Sequence, residues 1–164
     1  MILREPAEAL DPRMRTVWAL EGAIGAALLA LAVAVTVVVL VVQDASTAAW
    51  IVGIAGAAGV LVCALGLVWL RPRHDHAYFR YEVTELGLYV ARGWLWRRWQ
   101  VVPHARIETV DIKSGPLLRA FGLVAVQVAT AAAGGGTEIP GLEPPAADAL
   151  VADLARRAGI EDER

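Results

Sequence analysis

The sequence predicts a two-helix transmembrane hairpin followed by a small all-β sandwich or barrel that carries one C-terminal α-helix. Three observations predict it. Two long apolar runs, residues 16–42 and 48–70, stand side by side with almost no charge inside them. After Arg71 the apolar residues change to a two-residue alternation, the mark of half-buried strands. From Ala147 they return to helical spacing.

Residues 1–15 read as a cytoplasmic tail. A bilayer core asks for roughly 20 apolar residues in a helix, which each run supplies. Backbone polar groups cannot stay unpaired in hydrocarbon, so both runs must be helical. Only Gln43-Asp44-Ala45-Ser46-Thr47 joins them, which forces an antiparallel hairpin. That link has no Lys or Arg, whereas Arg4, Arg13 and Arg15 precede the first run and Arg71 and Arg73 follow the second. The positive-inside bias places both termini in the cytoplasm. Trp18, Trp50 and Trp69 fall near helix ends, at headgroup depth. A cleaved signal peptide competes for the first run, but its apolar core would span only about 7–15 residues. Glu21 lies one turn from the cytoplasmic end, within reach of water or Arg15. Small residues at Gly22, Ala26 and Ala30, and at Ala49, Gly53 and Ala57, let helices approach closely. Gly22, Ala26, Gly53, Gly56 and Ala57 are the candidate packing positions, within the hairpin or in a homo-oligomer.

Residues 71–77 form a juxtamembrane linker, residues 78–158 a cytoplasmic domain and residues 159–164 a C-terminal tail. Phe79, Tyr81 and Val83 define a first strand, Leu86, Leu88 and Val90 a second, and Thr84-Glu85 with Gly87 the turn between them. A third strand covers residues 95–102 and a fourth 106–113, where Ile107 is out of phase with Val110 and Ile112 and calls for a bulge. Val124, Val126 and Val128 mark the next strand. Gly134-Gly135-Gly136 mark a turn, and residues 137–140 a short strand. Ala147, Leu150, Val151, Leu154 and Ala158 make one helical stripe, with Pro144 and Pro145 suited to its start and Gly159 to its end.

Composition narrows the function. The 164 residues have a mean hydropathy of +0.53 and 20% charged residues, below the roughly 25% of soluble domains. A net charge of −2 gives no whole-chain case for nucleic acid. The single cysteine, Cys63, sits in the second apolar run and has no partner for an internal disulfide. His74-Asp75-His76, with His104 the only other histidine, falls short of a metal site. No nucleophile elbow, phosphate loop or paired cysteines occur, so no catalytic residue, metal or cofactor is expected.

One stretch stands out: Trp94-Leu95-Trp96-Arg97-Arg98-Trp99. Indole and guanidinium together suit a lipid interface. From Arg92 to Arg119 there are six basic and two acidic residues. The competing reading is a strand whose tryptophans fill the core and whose arginines are solvated. Periodicity does not decide between them. Base stacking by the same residues is set aside, because a membrane hairpin and an otherwise acidic domain argue against nucleic acid. The run 115–123 reads as a turn feeding a strand, with Leu118 and Phe121 buried and Arg119 free for contact. Trp94, Trp96, Arg97, Arg98, Trp99 and Arg119 are thus the candidate lipid or partner contacts.

The segments Tyr81-Glu82-Val83-Thr84-Glu85-Leu86-Gly87-Leu88, Val102-Pro103-His104-Ala105-Arg106-Ile107, residues 115–123, Val128-Ala129-Thr130-Ala131 and Ile139-Pro140-Gly141-Leu142 follow one another behind a two-helix hairpin. In that order and spacing they resemble the YdbS-like bacterial membrane proteins, which carry a pleckstrin-homology-like (PH-like) domain. The resemblance spans residues 16–157. It implies a PH-like sandwich or barrel closed by the C-terminal helix, no defined reaction, and a place in the bacterial plasma membrane beside larger membrane proteins with several PH-like domains. Eukaryotic relatives hold phosphoinositides with basic residues around the first hairpin; here Glu82 and Glu85 stand there instead. The expected function is a non-enzymatic, membrane-anchored interaction module within a membrane protein complex. The alternatives are an accessory subunit of an export or envelope-stress/antimicrobial-resistance system, and an anionic-lipid headgroup-binding module.

Overall fold

A computed structural model describes residues 4–43, 46–130 and 136–159. The chain divides into two compact units: Trp18–Arg73, and a second made of Met1–Val17 together with His74–Arg164.

The first unit is the hairpin. Helix α1 covers Met14–Val42; helix α2 covers Ser46–Ala64 and runs on through a π-helical turn, Leu65–Leu70, into α3, Arg71–Tyr78. Residues 71–77, read above as a linker, are therefore helical. The π-turn has a local cause. Pro72 has no N–H to give to the preceding turn, and the Arg71 N–H reaches back five residues to the Gly66 carbonyl. Both helices are long and apolar enough to cross a bilayer. Leu28, Leu31, Val38, Ile54 and Val62 all point outward, an arrangement suited to lipid rather than water.

The two helices meet along a seam of small residues. A Cβ on Gly22 would lie 2.6 Å from the Leu67 carbonyl oxygen, and one on Gly56 would lie 2.5 Å from Val33 Cγ1. Gly53 faces Val37 and Ala26 is buried. Ala57 and Ala30 are exposed. The seam runs through residues 49, 53, 56 and 60, alternating steps of four and three, so a strict step of four drifts off it. That drift takes Ala57 out of the seam within the hairpin.

The second unit is a sandwich of two antiparallel sheets with a helix across it. Sheet one has the order β1-β2-β3-β4 (Glu8–Ala9, Arg80–Val83, Gly87–Arg92, Arg98–Pro103); sheet two has β5-β6-β7 (Ile107–Lys113, Val124–Thr130, Thr137–Leu142). The sheets do not close into a barrel. The expected bulge lies between Ile107 and Thr109. Helix α5, Pro144–Ala158, starts on two prolines and ends at Gly159 in the left-handed conformation; Ala147 and Leu154 are fully buried beneath it. The core is Leu88, Val90, Leu123, Val126, Val128, Ile139 and Leu154. Residues 131–135, which hold most of the expected glycine turn, and 160–164 of the tail lie outside the described residues.

Three elements differ from expectation. Residues 116–120 form a short helix, α4, opened by Pro116; Leu118 and Phe121 are half-buried and Leu123 is the residue that enters the core. The third strand starts at Arg98, leaving residues 93–97 as a loop. The N-terminal tail is no free tail. Glu8–Ala9 pairs with Tyr81 and Arg80 as β1, and Leu10, Met14 and Val17 are buried. The Asp11 N–H donates to the Gly141 carbonyl, and Met14 lies where a Gly141 Cβ would stand. Arg13 bonds Asp11, Glu143 and the Phe121 carbonyl, while Arg4 bonds Glu82. The hairpin is thus inserted between the first and second strands of the sandwich.

Candidate interaction surface

The β3–β4 hairpin carries most of the candidate contacts. Its register pairs Leu88 with Val102, Val90 with Gln100 and Arg92 with Arg98 on the core-facing side. Tyr89 with Val101 and Ala91 with Trp99 form the outer side. Leu88, Val90 and Val102 are buried, so Arg92 and Arg98 continue the inward row past the end of the core; Arg92 is half-buried and Arg98 exposed. The five-residue loop needs Gly93, whose φ of 87° places it in the left-handed region. A Cβ there would also meet the Trp96 carbonyl oxygen at 2.4 Å.

The tryptophans do not fill the core. Trp94 is 51% exposed, Leu95 65% and Trp96 83%. The loop is held at its base. The Trp94 ring stacks on His74 with centroids 4.7 Å apart, and His74 stacks in turn on Tyr78. The Arg97 guanidinium lies 5.3 Å from the Tyr78 ring centre and 5.5 Å from that of Trp99, and donates to Glu5 at 2.7 Å. Arg97 is therefore part of the support, and Arg98 is the open cation beside it. Trp99 and Val101 face outward on β4, the last strand of its sheet. Arg119 stands apart: it is exposed on α4, an element packed beside β6 in the other sheet.

Some of the other charges in the unit pair with one another. Arg4 beside Glu82 holds that carboxyl below its usual range, and Arg13 does the same for Asp11. Arg157 and Arg156 lower Asp153 in the same way. Burial, with Glu8 nearby, raises the Tyr81 hydroxyl. The two arginines of α5 line a shallow depression with Glu85, Leu86 and His104, but both are engaged by Asp153. His76 Nε2 contacts the Leu10 and Asp11 carbonyls, so it carries the hydrogen; His104 Nε2 does likewise toward Thr84. Among the described residues no three His, Cys, Asp or Glu side chains converge as metal ligands.

Sequence reasoning missed Glu5, His74 and Tyr78 as supports of the loop. Spacing alone does not reveal them, because Glu5 lies across the whole hairpin in sequence. Helical spacing of Leu10, Met14 and Val17 was the one available sign that the tail packs.

Comparison with known proteins agrees with the fold. The family model for the bacterial PH domain matches residues 19–158. The UPF0699 transmembrane protein YdbS of Bacillus subtilis (strain 168) is 34% identical over 114 residues, 70% of each chain. With the two apolar helices, this makes the chain a two-pass membrane protein. No solved structure matches significantly.

Proposed function

We propose, from the premise that this chain belongs to the bacterial PH domain family, that it is a non-enzymatic interaction module at the inner face of the bacterial plasma membrane, acting within a membrane protein complex. One observation carries the reading: β4 is an edge strand whose outer face presents Trp99 and Val101 to solvent. An unpaired edge with apolar side chains is a template for another chain. A second membrane protein bearing PH-like domains suits it, since such a domain offers strand edges of its own.

The arginines on either side of the hairpin, against none in residues 43–47, support the cytoplasmic placement. Packing of the N-terminal arm into the β-unit supports placing both ends on one side, because two crossings return the chain to the side it left. Anchoring raises the local concentration of the module for any membrane-bound partner, so a modest contact suffices.

The test is Val101→Lys in the full-length protein. Val101 is half exposed, so the domain stays folded. Partner recovered from gently solubilised membranes is expected to fall at least about tenfold, equivalent to roughly 1.4 kcal/mol. Recovery equal to wild type would refute the edge as the contact.

A further inference from the structure

We infer that the tip of the β3–β4 hairpin is a lipid-phosphate site: Arg92 and Arg98 grip the phosphate of an anionic membrane lipid while Trp94, Leu95 and Trp96 enter the headgroup layer beside it. This surface is separate from the outer face of β4, so it stands or falls independently of the protein contact proposed there.

The first observation is the arginine pair. Arg92 and Arg98 are direct cross-strand partners. Like charges placed opposite each other destabilise a hairpin unless something neutralises them. Arg4, Arg13, Arg97, Arg156 and Arg157 each hold a carboxylate. Arg92 and Arg98 have no acidic partner among the described residues. The chain has no acidic residue between Glu85 and Glu108. Glu5, the carboxylate that does reach this hairpin, is taken by Arg97. A phosphate bridging two guanidiniums would complete the pair with charge-assisted hydrogen bonds.

The second observation is what adjoins the pair. Three consecutive large apolar side chains stand more than half exposed in a loop fixed at both ends. A soluble phosphate has no use for them, whereas a bilayer takes indole at headgroup depth with guanidinium on phosphate. The third is chain connection. Trp94 stacks on His74, which follows the last residue of the apolar span, Leu70, by four residues. The covalent chain alone keeps the base of this loop near a membrane surface.

The experiment uses the full-length protein, purified free of partners, with Cys63→Ala and Leu95→Cys carrying an environment-sensitive fluorophore. It is reconstituted in phosphatidylcholine vesicles with or without phosphatidylglycerol, each containing a headgroup-region nitroxide lipid. Strong quenching is expected with phosphatidylglycerol and weak quenching without it. The same label at Leu86→Cys, on the β2–β3 turn, stays unquenched. Arg92→Gln with Arg98→Gln is expected to lower the quenched population roughly 25-fold, about fivefold for each arginine removed near an anionic surface. Excess inorganic phosphate leaves the signal unchanged. The label moved to Trp96→Cys gives the same result if Leu95→Cys disturbs the loop. Absence of quenching at both positions overturns the inference, as does quenching that ignores the arginines. Displacement by free phosphate would show a soluble-anion site instead. Shielding that needs an added partner protein would show a protein surface. A quenched label in a protein that recovers no partner sinks only the complex, and an unquenched label in a protein that does recover one sinks only the lipid site.

Discussion

Two short apolar segments of the same unit meet opposite fates. The N-terminal arm sends Leu10, Met14 and Val17 into the interior, where each is at most 3% exposed. The loop at residues 93–97 leaves Trp94, Leu95 and Trp96 in the open. The arm reaches its place from across the whole hairpin, while the loop is continuous with the sheet it leaves outside the core. The fold can evidently bury distant apolar residues, so the loop's exposure is not a failure of packing. Burial marks the arm as structure, and fixed exposure leaves the loop available for the contact proposed above.

The largest expected effect removes the arm's burial. Leu10→Ala with Met14→Ala should cost roughly 4–10 kcal/mol together, comparable with the roughly 5–15 kcal/mol that holds a whole domain. The β-unit should then be digested rapidly by protease in detergent. Wild-type resistance would put the arm in the same class as the loop. For the same reason a fragment beginning at Arg71 lacks its first strand and part of its core, and is a poor surrogate for the whole protein.

A smaller effect comes from acid. Asp11 and Glu82 are held below their usual values by Arg13 and Arg4. A carboxylate depressed in the folded state stabilises fully above its unfolded value, about 4. That contribution fades as pH falls through the lower folded value. Protection of the amides at residues 8–11, taken relative to their intrinsic exchange rate at each pH, should therefore fall below pH of about 4, before global unfolding. Protection in the arm that stays constant with pH down to the global transition would show that its ion pairs contribute nothing.

The smallest effect belongs to the loop. Leu95→Ser with Trp96→Ser should change unfolding free energy by no more than about 0.5 kcal/mol, read by thermal melting in detergent. A drop of several degrees would mean that the loop is packed in the intact protein and would erase the contrast with the arm.

Much of the architecture was legible in the residues. The two long apolar helices follow from the length of the apolar runs, and the Ile107 bulge and both ends of α5 from period and from proline and glycine positions. The arm was not, since a two-residue strand leaves no period and Val17 merges into the apolar run of α1. Residues 95–97 read as strand because Trp, Leu and Arg suit strands by composition; the left-handed Gly93 is what ends β3. For the proposed contact surface, the sequence singled out Trp94, Trp96, Arg98 and Trp99, which the structure leaves exposed. It could not show that Arg97 is occupied by Glu5 or that Arg92 stands opposite Arg98, since pairing across a hairpin depends on loop length.

Insertion of the spans between β1 and β2 has a consequence for proteolysis. Two separate stretches of chain lead from the β-unit into the bilayer, one after Val17 and one before His74. A single nick near residue 79 would sever only one. The remaining body would stay clipped to the membrane through its grip on Leu10, Met14 and Val17. Shedding it takes a cut and an unfolding event together, which makes this anchor harder to undo than an ordinary tether.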